Sequence, residues 1–312
     1  MASTFTLAHI SDVHLGPLPR FALRHWGLKR GLGYLNWHRN RRSAHLPATL
    51  GRLITDLKAQ RPDHIAVTGD LINIGLPAEY EEARQWLSTL GPPGDVTVIP
   101  GNHDIYARLG PDPGVGRWHS YMQANTAGLA VHPAPAGTFP FVRRFGNIAL
   151  IGLNSAVPTR PFEAAGELGA AQRTTLEDLL DRLGRHTLAR VVLIHHPPLP
   201  GQASRLKALR DASALRDLLR RHGAELVLHG HNHRSELTML DRDGASVPIV
   251  GVPSASLGRP HHDETLARYH LYRITEDGPQ FGIDCVARGL KAPDGPVVEI
   301  ERRHLTPTAI KP

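Results

Sequence analysis

The chain has one cysteine, Cys285, among 312 residues. A single thiol cannot close an intramolecular disulfide, so a reducing, cytoplasmic compartment is expected. No stretch approaches the roughly 18 consecutive apolar residues of a spanning helix, so no transmembrane helix is expected. The opening MASTFTLAHISD lacks a basic region followed by a long apolar run, so no signal peptide is expected either. Acidic residues are missing between Asp12 and Asp56, where Arg20, Arg24, Lys29, Arg30, Arg39, Arg41, Arg42 and Arg52 fall. These charges outnumber the whole net charge of +7, so the basicity is local.

What is present alternates. Thr4 to Ile10 is a short apolar strand ending at Ser11-Asp12. Leu46 to Lys58 has helical spacing and stops at Arg61-Pro62. The strand His64 to Thr68 runs into Gly69-Asp70, a helix covers Pro77 to Leu90, and the strand Val96 to Ile99 runs into Pro100-Gly101-Asn102-His103-Asp104. The pattern repeats with a strand at Asn147 to Leu153, a helix at Ala170 to Leu183, and Val191 to Ile194 leading into His195-His196-Pro197-Pro198. A helix at about Ser213 to His222 precedes the strand Glu225 to Leu228 and Gly230-His231-Asn232-His233. Strand-like segments then follow one another at Val247 to Val252, Tyr269 to Ile274 and Phe281 to Ala287. Helix–strand alternation giving way to strands predicts an α/β sandwich with a mixed sheet, in one domain over residues 1–312. Residues 17 to 47 break the rhythm as a Pro-, Arg- and aromatic-rich insertion with neither clean helical nor clean strand spacing.

Five times an apolar strand ends in metal-competent residues, and loops from several strands of an α/β sheet converge at their carboxyl ends. Glycines before Asp70, Asn102 and His231 fit tight turns that present the next side chain. Singly, each Asp or Asn reads as a turn residue. Together, two carboxylates, one amide oxygen and four imidazoles form a mixed O/N set that suits Mn, Fe or Zn. Seven donors exceed one tetrahedral ion and suit a pair sharing a carboxylate. Such a pair, about 3.5–4 Å apart, can clamp a phosphoryl oxygen and acidify a bridging water.

Asp12-x-His14, Gly69-Asp70, Gly101-Asn102-His103-Asp104, His195-x-Pro197 and Gly230-His231-x-His233 resemble, in order, the signature of the calcineurin-like metallophosphoesterases. The resemblance implies a four-layer α-β-β-α sandwich with two mixed β-sheets and a dinuclear site at the strand ends. It implies two divalent metal ions (Mn, Fe or Zn), with Asp12, His14 and His233 on one, Asn102, His195 and His231 on the other, and Asp70 bridging. His103 would be the general acid or transition-state stabiliser, with Asp104 orienting its imidazole. His196 also precedes a proline and competes with His195. The implied reaction is hydrolysis of a small-molecule phosphodiester by metal-bound hydroxide. The Gly-Asn-His-Asp form, the His-His-Pro-Pro segment and the overall size are similar to the bacterial cyclic-nucleotide and glycerophosphodiester branch, which points to a 3′,5′-cyclic nucleotide phosphodiesterase.

Other readings remain at this stage. A lipid-linked nucleotide pyrophosphatase resembling the UDP-diacylglucosamine hydrolases would use the insertion as an acyl-chain lid, but usually carries Arg at the His103 position. A nuclease resembling the double-strand-break repair exonucleases would continue into a DNA-capping domain, for which little chain follows His233. A catalytically silent scaffold is opposed by the complete ligand set. The insertion interleaves its arginines with Phe21, Trp26, Leu28, Leu32, Tyr34, Leu35 and Trp37. That mixture suits a substrate lid, a peripheral contact with the inner membrane through residues 20–42, a nucleic-acid strand, or a solvated face. Its root beside Asp12 and His14 ties it to substrate choice. His9, His64, His222 and His229 read as structural, and His261-His262-Asp263 as a solvated loop. A homo-oligomer stays open.

Overall fold

The computed structural model describes residues 4–20, 27–106, 112–133, 135, 137–186, 188–242, 244–278 and 280–305. Phe21, Arg24 and Trp26 of the insertion lie outside the described residues. Three parallel strands, β1 (Thr4–Ile10), β2 (His64–Val67) and β3 (Val96–Val98), form half of the first sheet. The antiparallel β10 (Arg268–Asp277), β11 (Gln280–Leu290) and β12 (Val297–His304) complete it in the order β12-β11-β10-β1-β2-β3. The second sheet is built from β4 (Phe141–Phe145), β5 (Ile148–Gly152), β6 (Ala189–Leu193), β7 (Leu226–His229), β8 (Glu236–Arg242) and β9 (Ala245–Gly251). Its order is β4-β5-β6-β7-β9-β8, parallel from β5 to β9 and antiparallel at both edges. Both sheets are mixed.

The period-2 alternation of strands sorts their side chains into layers. Leu150, Val191, Leu193, Leu226 and Leu228 face the first sheet and join the apolar cluster that continues to α3 (Pro47–Ala59) and α4 (Pro77–Leu90). Their neighbours Ile151, Val192 and Val227 face outward onto leucines of α6 (Ala170–Arg185) and α7 (Ala212–His222). Burial on both faces is why β5, β6 and β7 read as continuous apolar runs. The result is the α-β-β-α sandwich. Just beyond β1 and β9 a parallel bridge pairs Ser11 with Ser254, and the Ala255 N–H donates to the Ser11 carbonyl at 2.9 Å. The two sheets are thereby laced together at the rim where the carboxyl ends of their parallel strands gather.

The insertion departs from its expected lack of regular structure. It contains α1 (Leu28–Asn36), a π-helical turn over Trp37–Arg41 and the short α2 (Arg42–Ala44), with Trp37 buried. Gly31 and Gly33 hide this helix from a propensity reading, since glycine is about 1 kcal/mol poorer than alanine in a helix. Gly33 is there for contact: a Cβ on it would strike the Tyr106 hydroxyl and Ile74. The edge strands β4, β8 and β12 and the short α5 (Thr126–Val131) also escape the periodicity, because their exposed faces are polar or their length is small.

Arg143 on β4 ties the two sheets at their other margin. Its buried guanidinium donates to the carbonyls of Pro93, Val96, Ser120 and Gln123 at 2.6, 2.8, 2.9 and 2.8 Å. Arg143→Met leaves those carbonyls without donors, at an expected cost of about 3 kcal/mol. Urea unfolding measures this, and an unchanged midpoint and slope would refute the structural role.

Candidate metal centre

Five of the seven expected ligands sit in left-handed backbone: Asp12 (φ 52°), His14 (43°), Asp70 (54°), His231 (70°) and His233 (53°). Each such residue costs roughly 1–3 kcal/mol and persists only where its surroundings over-determine it. The loops supply that restraint by pairing beyond the strands. The Asp12 N–H donates to the Gly69 carbonyl at 3.0 Å, His14 to Asp70 at 2.9 Å and Leu15 to Leu71 at 2.8 Å. Gly69 itself has φ 93°, as a tight turn requires. Gly101 and Gly230 serve by proximity instead: a Cβ at Gly230 would collide with Ser11 and Asp12, and one at Gly101 with Asp70.

The side chains form two clusters. In the first, His14 Nε2 and His233 Nε2 stand 3.4 Å apart, and Asp12 Oδ1 lies 3.1 Å from His233 Nε2 and 4.0 Å from His14 Nε2. His14 Nδ1 donates to the Ile72 carbonyl at 3.2 Å, which leaves Nε2 as a lone pair. In the second, His195 Nε2 lies 3.1 Å from Asn102 Oδ1 and 3.3 Å from His231 Nδ1. Its Nδ1 donates to the Thr68 carbonyl at 2.7 Å, and His231 Nε2 donates to the Lys207 carbonyl at 2.9 Å. Asp70 spans the gap, with Oδ2 3.9 Å from His14 Nε2 and 3.5 Å from His195 Nε2. Its Oδ1 accepts the His103 N–H at 2.7 Å. His196 is engaged elsewhere, with Nδ1 2.8 Å from the Ser155 hydroxyl and Nε2 donating to the Ala164 carbonyl at 3.1 Å. Converging lone pairs, with His14, His195 and His231 each hydrogen-bonded through the other nitrogen, fit two divalent cations with a shared carboxylate.

Asp104 does not orient His103, contrary to expectation. Its carboxylate is buried and accepts the backbone N–H groups of Asp70 (2.8 Å), Leu71 (2.9 Å), Ile72 (3.3 Å) and Gly101 (2.9 Å). It staples the β2 and β3 loops together. The His103 ring is held by the Asn73 carbonyl, which accepts from Nδ1–H. Nε2 then accepts from the Arg41 guanidinium at 2.9 Å. Burial, then the Arg41 charge, press the His103 pKa down to about 4, so in this arrangement Arg41 is the donor and His103 the acceptor.

Three contributors were not foreseen. Glu264 stands 3.0 Å from His233 Nδ1, a carboxylate–histidine pairing that fixes a ligand's orientation. His45 packs edge-on against His14 and His233 at ring separations of 5.0 and 5.6 Å. Arg41, counted only as part of the insertion's charge, reaches His103. The His261-His262-Asp263 stretch is the loop that delivers Glu264, with His261 Nδ1 3.4 Å from its carboxylate. No signal in the sequence spacing links Glu264 or His45 to His233; only the fold does.

Residues 5–235 match the family model for calcineurin-like phosphoesterases. The chain belongs to this family. A Synechococcus protein named "Probable cyclic nucleotide phosphodiesterase" is 30% identical over 241 residues, covering 75% of each chain. Glycerophosphodiester phosphodiesterase GpdQ of Enterobacter lignolyticus is 29% identical over 227 residues, 68% of this chain and 69% of the relative. Among solved structures, a dimetal phosphatase from Danio rerio superimposes with a TM-score of 0.63, covering 97% of this chain and 98% of that one. At 15% identity that likeness carries the fold alone. The chain is thus a metallophosphoesterase, of a family whose site is dinuclear.

The electrostatics of this metallophosphoesterase suit cation binding. Burial would lower His195 and His233, but the facing Asp70 and Asp12 carboxylates override it and raise both to about 9. Asp12 is held well below the carboxylate range by His233, against the effect of burial. Burial and neighbouring positive groups keep His14 and His231 well below their usual value, hence neutral. The carboxylates that would face a cation thus favour protons on these two imidazoles. Ligation needs neutral imidazole, so metal uptake below pH 9 must expel them. Apparent affinity is expected to rise from pH 7 to about 9 and then flatten, with about two protons released per metal pair at pH 7.5. Titration calorimetry in buffers of different ionisation enthalpy measures this, and pH-independent uptake would contradict it.

Proposed function

We propose that this metallophosphoesterase hydrolyses small-molecule phosphodiesters, with 3′,5′-cyclic nucleotides as the leading substrate class. The observation that carries the reading is Asp70 Oδ2 lying between the two imidazole-bearing clusters, with Oδ1 pinned by the His103 N–H. Asp12, His14 and His233 would hold one ion; Asn102, His195 and His231 the other; Asp70 would bridge. The mixed O/N donors favour Mn, Fe or Zn. When bound, the cations supply Lewis acidity toward the phosphoryl oxygens and an acidified water as nucleophile. The names of the cyclic-nucleotide and glycerophosphodiester relatives support a diester rather than a monoester.

The chain's own residues then handle orientation and protons. Arg41 and His103 border the cavity over the clusters, which also receives Lys207 and Arg234. A phosphoryl oxygen that takes over the Arg41 guanidinium frees His103 Nε2 to hold a proton for the leaving oxygen. Asp70→Ala and Asn102→Ala are expected to lose bound metal and turnover together, whereas His103→Ala keeps both ions and loses about 100-fold in kcat. The assay is a panel of cyclic nucleotides, open diesters, monoesters and nucleotide-lipid pyrophosphates with Mn²⁺, alongside metal analysis. Full activity with two ions in Asp70→Ala would sink the ligand set, and a preference for monoesters would sink the substrate class.

A peripheral membrane contact has one supporting observation. Leu28 and Leu35 on α1 are 76% and 48% exposed, with Arg39 and Arg42 exposed beside them. No helix among the described residues is long and apolar enough to cross a membrane. Salt-sensitive sedimentation with anionic vesicles is the expected signature, and its absence would dispose of the contact. The buried Cys285, the chain's single cysteine, fits a reducing cytoplasm.

A further inference from the structure

Behind His103 lies a second cavity of about 300 Å³, beside the one of about 270 Å³ over the metal clusters. Arg41, Asn102, His103 and Ala164 line both, so the two meet across these four residues. The second cavity is walled by α1, by Tyr106 and by residues 159–163.

Its walls mix apolar side chains with hydrogen-bonded polar ones. Lys29 Nζ donates to the Thr159 carbonyl at 2.9 Å and contacts its hydroxyl at 3.0 Å, and it lies 4.5 Å over the Tyr106 ring. Tyr106 returns a hydrogen bond to the Lys29 carbonyl at 3.1 Å and stacks on His103 at 5.6 Å. At the rim, Phe162 is 82% exposed with φ 66°. A bulky apolar side chain held out to solvent by left-handed backbone is strain of the kind that clusters at ligand sites. Arg41 comes from the π-helical turn, a distortion frequent at functional sites. Among the described residues no carboxylate forms an ion pair with it, so its guanidinium is available to an anion at the junction.

We propose that this cavity is the subsite for the leaving alcohol of the diester and that the alcohol is a nucleoside. This rests on the reading that phosphorus is held over the metal clusters. Cleavage of a 3′,5′-cyclic nucleotide forms a bond from water oxygen to phosphorus, breaks the P–O3′ bond and leaves the proton on O3′. The leaving oxygen thus departs on the His103 side, where the second cavity begins, and the nucleoside stays there in the 5′-monophosphate product. A flat base meets Phe162 and a ribose meets Asn36, Thr159 and Lys29. An acyl chain would instead set the charged heads of Lys29 and Arg41 against hydrocarbon.

The test is competitive inhibition of bis(4-nitrophenyl) phosphate hydrolysis by the Mn²⁺-loaded protein, using 5′-AMP, inorganic phosphate and decyl phosphate. The expected result is inhibition by 5′-AMP at least about tenfold tighter than by phosphate, a preference cut to below about threefold in Phe162→Ala and in Leu32→Trp. Phe162 is exposed, so its removal leaves the core intact even if Leu32→Trp misfolds. Equal inhibition by 5′-AMP and phosphate, or a preference that survives Phe162→Ala and a folded Leu32→Trp, would overturn the subsite. Tighter inhibition by decyl phosphate than by 5′-AMP would overturn its nucleoside chemistry. Inhibition by none of the three, with turnover intact, would remove the phosphoryl-site reading, and this proposal with it.

Discussion

Four backbone N–H groups, those of Asp70, Leu71, Ile72 and Gly101, converge on the carboxylate of Asp104 in the space between the β2 and β3 loops. Everything catalytic depends on this point. It bends the chain after Gly69 so that Asp70 turns back between the two imidazole clusters, and it holds Asn102 and His103 against the same turn. Burial and the nearby Asp70 charge push Asp104 up to about 8, yet four donors favour the anion. The contest shows how tightly the turn is drawn: a carboxylate is kept out of water because the backbone around it has no other partner.

Each buried carboxylate of the two clusters faces an imidazole. Asp12 and Asp70 are buried and 2% exposed or less, and an uncompensated carboxylate there would cost several kcal/mol. The facing His233 and His195 imidazoles, both raised by these carboxylates, offset that cost. The left-handed residues that aim the ligands are restrained by loop hydrogen bonds made by the protein alone.

Much of this was legible from residue order. The strand ends at Asp12, Asp70, Asn102, His195 and His231 stood out because a buried parallel strand is an unbroken apolar run and a polar cluster after it has no packing role. The alternation of runs predicted an α/β sandwich with a mixed sheet, and the two-sheet layering followed from the family resemblance. The α1 helix did not, because Gly31 and Gly33 argue against a helix unless the close approach of Tyr106 is known. The role of Asp104 was misassigned because adjacency to His103 suggested a side-chain partner, whereas the carboxylate turns to the backbone instead. Glu264 and His45 lie far from His233 in sequence, and only the packing of both sheets at one rim brings them there.

The insertion ends with Arg41 on His103 and, four residues on, His45 against His14 and His233. His45 is anchored in turn by the hydroxyl of Ser256, at 2.9 Å. The segment that reaches His103 and the segment that packs on His14 and His233 are thus one short piece of chain fixed at both ends. Linkage makes such a connection reciprocal: whatever metal occupancy does to the poise of Arg41, a ligand on Arg41 does to metal affinity.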